Sequence, residues 1–264
     1  MNEIVGRADI ALLVFDTLRF DVAEAEFLAG RTPNLAKVFP EGWEKRHSPG
    51  NFTYAAHQAF FAGFLPTPSD SGASRERLFA TDFAGSETTS DNTKVFPESN
   101  IVAGLRNAGY YTICIGGVGF FNRQTALSCV LPDLFDESHW EVATGVTDPD
   151  STRNQIAVAA ERLAAIPRSK PVFFYLNISA IHQPNHYYID GKLSDDIESH
   201  AAALRYVDSC FPELVSLFQN RNETFLIACS DHGTLYGENG FTGHRISHES
   251  VYTVPYREVL LPAL

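Results

Sequence analysis

Four uninterrupted apolar runs limit what this chain can fold into. They are 9–15 (DIALLVF), 111–115 (YTICI), 172–177 (VFFYLN) and 224–229 (TFLIAC). Each has the length of a strand. Strands without polar alternation are usually buried on both faces, as in a parallel sheet. Amphipathic stretches lie between the runs. The segment 101–107 leads into a glycine stop at Gly109. The segment 152–165 spaces Ile156, Ala160 and Leu163 helically, begins after Asp150 and Ser151, and stops before Pro167. The segment 195–219 carries Ile197, Ala201, Leu204, Val207 and Leu214 at helical spacing, with Pro212 expected to kink or break it. Strand and helix in alternation predict an α/β fold: a mostly parallel central sheet with helices on both faces. No linker divides the sequence, so one domain over residues 1–264 is expected. The stretch 67–93, rich in Ser, Thr, Asp and Gly, reads as an irregular excursion.

Charge narrows the function classes. The 264 residues include 20 Lys and Arg against 32 Asp and Glu, a net charge of -12. That balance argues against a broad nucleic-acid footprint or an anionic membrane surface. It leaves room for a small, locally positive site. The first apolar run is too short for a signal-peptide core or a membrane span. Cys114, Cys129, Cys210 and Cys229 are scattered, with no CxxC, and read as thiols rather than a disulfide framework. The Asn-x-Ser/Thr triplets at Asn51, Asn177 and Asn222 read as chance. A cytoplasmic location is the expectation.

In open parallel sheets, sites form beyond the carboxyl ends of the strands. Asp16-Thr17 follows the first run, Gly116-Gly117 the second, Ser179–His182 the third and Ser230-Asp231-His232-Gly233 the fourth. Three of the four ends supply metal-ligand residue types. Asp16 alone reads equally well as a helix cap, and Asp231-His232 alone as a loop cap. Together they point to a metal site of oxygen and nitrogen donors. The glycines at 116, 117 and 119 lack the third glycine of a dinucleotide fingerprint. Neither a GxSxG elbow nor an HExxH helix is present.

These residues carry a family resemblance. The segment 9–21 (DIALLVFDTLRFD) resembles the opening strand and first metal carboxylate of the alkaline phosphatase superfamily, sulfatase-like branch. Thr32-Pro33-Asn34-Leu35 resembles the TPNL that follows it there. The segment 53–63 (TYAAHQAFFAG) lines up with the nucleophile helix, and 105–115 with the L-x-x-A-G-Y-x-T strand entry. The segment 171–184 resembles P-F-F-L-x-L-x-x-x-x-P-H-x-P. The segment 230–255 resembles S-D-H-G-x-x-x-G-E-H-G-x-x-G-K followed by V-P. The pieces occur in the family's order over nearly the whole chain. The resemblance implies an alkaline phosphatase-like core, with a divalent metal held by Asp16, Asp231 and His232 and with Thr53 as fourth ligand and nucleophile. Without it, Thr53 reads as a plain helix N-cap. Larger members continue into a C-terminal subdomain, which is not expected here.

Departures from the family pattern redirect the chemistry. Sulfatases of this branch oxidise a cysteine or serine to formylglycine, and Thr53 cannot follow that route. The motif's proline falls on Ala55, its arginine on His57 and the second Asp of its DD pair on Thr17. The expected Lys-x-His falls on Gly117 and Gly119, the GEHG histidine on Asn239 and the later lysine on His244. A threonine nucleophile in this superfamily goes with phosphoryl-type substrates. The expected activity is therefore metal-dependent hydrolysis or transfer of a phosphate or phosphonate ester. A sulfatase, a mutase and a non-catalytic metal-binding accessory protein are the alternatives. His244 is the expected acid for the leaving group. His57, His182 and Arg19 are expected to contact substrate, Arg19 equally reading as a salt-bridge partner of Asp21 or Glu24. His186 and His248 each follow another histidine by four residues and leave a second metal open. His47, His139 and His200 read as surface or structural. Zn and Mn suit the donor set best, and Mg or Ca are compatible with it. The expected partner is a small anionic ester, with no nucleic acid and no membrane, and a homo-oligomer is left open.

Overall fold

A computed structural model describes residues 3–63, 79–81, 94–96 and 100–264. Most of the 67–93 excursion lies outside the described residues. Eleven strands are present among them: β1 (Asp9–Phe15), β2 (Glu44–His47), β3 (Phe79–Thr81), β4 (Lys94–Phe96), β5 (Tyr111–Ile115), β6 (Glu137–His139), β7 (Val172–Ile178), β8 (Thr224–Cys229), β9 (Leu235–Tyr236), β10 (Thr242–Gly243) and β11 (Thr253–Leu261). The eight α-helices are α1 (Phe20–Leu28), α2 (Pro33–Val38), α3 (Thr53–Ala62), α4 (Ile101–Asn107), α5 (Ala126–Val130), α6 (Ser151–Ala165), α7 (Ile197–Gln219) and α8 (Glu249–Tyr252).

Seven strands form the central sheet in the order β2-β11-β8-β1-β7-β5-β6. The block from β8 to β6 is parallel, whereas β11 and β2 add on antiparallel. The four apolar runs are its four central strands, β5, β7, β1 and β8. Their lack of polar alternation follows from burial on both faces. Along β1, Ala11, Leu13 and Phe15 face one core layer, with Leu204, Phe211 and Phe218 of α7 and Ile156 of α6. Ile10 and Val14 face the other, with Phe61 of α3 and Val102 of α4. Helices therefore cover both faces of a mostly parallel sheet. No helix among the described residues is long and apolar enough to cross a membrane.

Pro212 does not break α7, which runs unbroken through it. Proline removes one N–H and frees the carbonyl four residues earlier, that of Asp208. Asn34 takes up that carbonyl through its side-chain amide at 3.2 Å, while the Asp208 carboxylate accepts the Asn34 and Leu35 backbone N–H groups at 3.0 and 2.7 Å. The proline position thus docks the start of α2 onto α7.

The amino-terminal edge of the sheet is fastened by Arg221, which is 6% exposed. Its guanidinium donates to Asp9 Oδ2 at 2.9 Å and to the carbonyls of Leu163, Ile166, Pro167 and Lys170. Asp9 Oδ1 also accepts the Val172 N–H at 2.8 Å, tying β1 to β7. Removing a buried charge partner leaves the other charge uncompensated. Arg221→Ala should therefore lower unfolding free energy by about 3–5 kcal/mol in urea titrations, with metal affinity unchanged.

Candidate metal centre

β1 and β8 are parallel neighbours with Val14 opposite Cys229. Asp16 and the Asp231-His232 pair consequently leave the carboxyl edge side by side. One ligand atom from each of Asp16, Asp231 and His232 lies within 4.8 Å of the others, and all three residues are fully buried. Each carboxylate is anchored through one oxygen. Asp16 Oδ2 accepts from Asn177 Nδ2 at 2.9 Å. Asp231 Oδ1 accepts the backbone N–H groups of Thr17 at 3.2 Å and His232 at 3.0 Å. Thr17 reaches Asp231 from a left-handed conformation, φ 64°, which is strained for a β-branched residue. The other oxygens, Asp16 Oδ1 and Asp231 Oδ2, have no hydrogen-bond partner.

His232 completes the set through its tautomer. Its Nδ1 lies 2.9 Å from the Gly233 carbonyl, which only accepts, so Nδ1 carries the proton. Nε2 is then a free lone pair, 3.6 Å from Asp231 Oδ2 and 3.9 Å from Asp16 Oδ1. Gly233 is required here, because a Cβ would stand 1.9 Å from the Ser250 carbonyl oxygen. Burial, then the neighbouring Asp231 carboxylate, push Asp16 up to about 6, and burial pushes Asp231 up to about 7. Burial also lowers His232. Two buried carboxylates with unpartnered oxygens and one imidazole lone pair fit a divalent cation, which removes the like-charge cost and satisfies the orphaned atoms.

Thr53 sits beside this cluster. Its hydroxyl is 3.3 Å from His232 Nε2 and 3.4 Å from Asp16 Oδ2. It is not the N-cap, as a plain capping role requires. Phe52 has the extended N-cap backbone, and Thr53 is the first helical residue of α3. Its side chain is thereby turned toward the cluster instead of back over the first turn.

The remaining expected contacts divide. The His244 ring lies tilted against His232, with ring centroids 4.5 Å apart, and the His182 ring centroid is 5.7 Å from that of His244. Burial, then the His232, His182 and Arg245 charges, lower His244 to about 3, so it is neutral near pH 7. His57 does not open into this pocket. It is fully buried, and its ring nitrogens meet the Thr53 carbonyl and the Tyr175 hydroxyl. Burial lowers it to about 3. Arg19 is likewise committed elsewhere. At 5% exposure it bridges Asp21 and Glu238 and reaches the Thr234 carbonyl. It straps the loop after β8 to the start of α1. His186 pairs with Asp195 at 3.1 Å, and His248 caps α8 by accepting the Ser250 N–H at 3.1 Å. The four-residue spacings therefore do not form helical pairs. His200 is structural, buried against the Tyr236 hydroxyl.

Three supporting residues escape a reading based on ligand types. Asn177 orients Asp16, Thr17 holds Asp231 and Tyr175 holds His57. Asn177 carried one available signal: it is an amide closing an otherwise apolar strand, next to the site edge.

A seven-stranded, mostly parallel sheet with a candidate set of acidic and imidazole ligands at its carboxyl edge defines an α/β protein of the alkaline phosphatase-like class. The Sulfatase family profile matches residues 9–261, and the chain belongs to that family. No curated protein matches it in sequence. Solved structures share its fold. The C-terminal periplasmic domain of phosphoethanolamine transferase EptC from Campylobacter jejuni superposes with a TM-score of 0.63 at 16% identity, covering 96% of this chain and 79% of that one. The soluble domain of lipooligosaccharide phosphoethanolamine transferase A from Neisseria meningitidis gives 0.64 at 18%, covering 96% and 76%. The periplasmic domain of EcEptC from Escherichia coli, in complex with Zn, gives 0.62 at 15%, covering 97% and 73%.

Proposed function

We propose that this chain is a divalent-metal-dependent hydrolase or transferase of phosphate or phosphonate esters, with Thr53 as its nucleophile. The observation that carries the reading is the Thr53 hydroxyl, 3.3 Å from His232 Nε2 and 3.4 Å from Asp16 Oδ2, beside two buried carboxylates with unpartnered oxygens. Asp16, Asp231 and His232 would hold the ion, Zn or Mn by donor type. A bound divalent ion would acidify an oxygen ligand and offset charge on the transferring group.

The chain's own residues then have distinct tasks. Thr53 Oγ1 attacks phosphorus, a threonyl phosphoryl bond forms, and the bond to the leaving oxygen breaks. The first turn of α3 points backbone N–H groups at the incoming anion. The metal-ligand side of the site takes up the threonine proton, and His244, beside His232 and His182, is the group that delivers a proton to the leaving oxygen. Water or a second hydroxyl then attacks the same phosphorus, the threonyl P–O bond breaks, and the proton lost by the attacking oxygen ends on Thr53 Oγ1, restoring the hydroxyl. Glycines at 117 and 119 remove two cations expected in sulfatases, which favours phosphoryl over sulfuryl substrates in this reading. A small anionic ester is the partner this reading calls for, and a cytoplasmic setting is consistent with four free thiols.

A panel of para-nitrophenyl phosphate, bis(para-nitrophenyl) phosphate, a phosphonate ester and para-nitrophenyl sulfate tests the proposal. Each is assayed with Zn, Mn, Mg and Ca alongside elemental analysis of the purified protein. Turnover of a phosphorus ester with stoichiometric metal is the expected result. Turnover of the sulfate alone would identify a sulfatase, and metal binding with no turnover anywhere would identify a binding protein.

A further inference from the structure

Beneath the site lies a polar chain that the mechanism above does not use. His57 is one helical turn after Thr53 on α3, and its ring is enclosed by Phe60, Phe61, Phe121 and Tyr175. A histidine this deep in an aromatic layer is costly unless both nitrogens are satisfied. They are. Nδ1 lies 2.7 Å from the Thr53 carbonyl oxygen, and Nε2 lies 2.5 Å from the Tyr175 hydroxyl. The carbonyl only accepts, so Nδ1 donates. Nε2 is then bare and accepts the Tyr175 proton. The donating Nδ1 is also 3.8 Å from Asp231 Oδ2, the oxygen that nothing else satisfies. One fixed ring dipole therefore faces the backbone of the nucleophile and the open oxygen of a ligand carboxylate.

We infer that His57, held in its Nδ1–H tautomer by the Thr53 carbonyl and seated by the Tyr175 hydroxyl, is a positioning residue that fixes Thr53 against the candidate metal ligands. The inference rests on the reading of Thr53 as nucleophile. The N-cap residue Phe52 makes no side-chain cap bond, so the first turn of α3, where Thr53 stands, lacks that tether. The ring N–H adds a bond to the Thr53 carbonyl from one turn further along the same helix, and the Tyr175 hydroxyl ties that ring to β7. The substrate does not meet His57, whose contribution is geometric. A displacement near 1 Å at the attacking atom costs about 100-fold in rate.

Two substitutions separate the donor from the acceptor. The amide of His57→Asn places an N–H near the position of Nδ1, whereas His57→Gln keeps a polar group near Nε2 and abandons the Thr53 carbonyl. With bis(para-nitrophenyl) phosphate at saturating metal, kcat per folded molecule should fall about 100-fold for His57→Gln and stay within about 10-fold for His57→Asn. KM should be unchanged in both. Tyr175→Phe, which keeps the ring and removes only the hydroxyl, should lower kcat in the same direction. A direct readout is independent of turnover. The ring nitrogen spectrum of His57 should show a protonated Nδ1 and a bare Nε2 in the wild type. An Nε2–H tautomer overturns the inference. So does an equal loss in the Asn and Gln variants, or a loss that only follows the folded fraction. If the wild type turns over no phosphorus ester, the functional reading fails while the ring spectrum still decides the tautomer lock.

Discussion

Replacing Thr53 by alanine should reduce turnover at least ~10³-fold while leaving the bound metal in place. The threonine hydroxyl lies at the edge of the cluster, 3.3 to 3.4 Å from its neighbours, whereas Asp16, Asp231 and His232 form the buried core of the ligand set. Deleting the hydroxyl and one methyl removes the attacking atom and one outer donor, and leaves three. Metal content by elemental analysis should therefore stay near the wild-type ratio. Thr53→Ser restores an oxygen at the same position and should recover most of the lost rate. An alanine variant with wild-type kcat would remove Thr53 from the chemistry, whatever the metal content.

Asp16→Asn should move function and stability in opposite directions. Asparagine keeps an oxygen for the Asn177 amide but supplies no negative charge to a cation, so metal affinity should fall at least ~100-fold. In metal-stripped protein the same change is a relief. A buried carboxyl raised from 3.8 to about 6 is ionised at pH 7 at a cost on the order of 3 kcal/mol, first through burial and then through the Asp231 charge. The penalty grows between the unfolded and folded pKa values as pH rises, and is constant above them. The stripped variant should thus unfold at higher urea than the stripped wild type at pH 7.5. Its advantage should shrink below pH about 6 and vanish only below about 3, where folded and unfolded wild type are both protonated. Equal unfolding midpoints at pH 7.5 would mean that the Asp16–Asp231 repulsion is relieved in some other way.

The sheet was legible because parallel strands must be apolar on both sides. The runs 9–15, 111–115 and 224–229 coincide with β1, β5 and β8, and β7 extends its run by one residue, to Ile178. The clustering of Asp16, Asp231 and His232 was legible for the same reason, since residues at the ends of adjacent strands become neighbours. The antiparallel side was not. β2 has the sequence EKRH and only edge exposure, so no apolar run marks it. His57 suits an anion by residue type, and Arg19 suits either an anion or a salt bridge to Asp21, yet side-chain direction is a matter of packing, and the Asp21 pair is the one formed. A guanidinium meeting Asp21 and Glu238 in the fold satisfies itself there. Glu238 lies more than two hundred residues away, and spacing carries no trace of that pair. Pro212 shows the converse: a local rule against proline in a helix yields when the freed carbonyl has a partner on another element.

β1 carries a carboxylate at each end, and the two are opposites. Asp9 is enclosed by a guanidinium and backbone donors, while Asp16 presents an oxygen with no partner. Seven residues of extended chain hold them apart by about 20 Å, beyond the range over which such groups couple. The strand is in effect a lever arm with a fixed fulcrum. Tension is tolerated at the reactive end because the other end is anchored to three chain segments. Tuning the reactive end for a different ion or ester would therefore leave the anchor, and with it the sheet, unaffected.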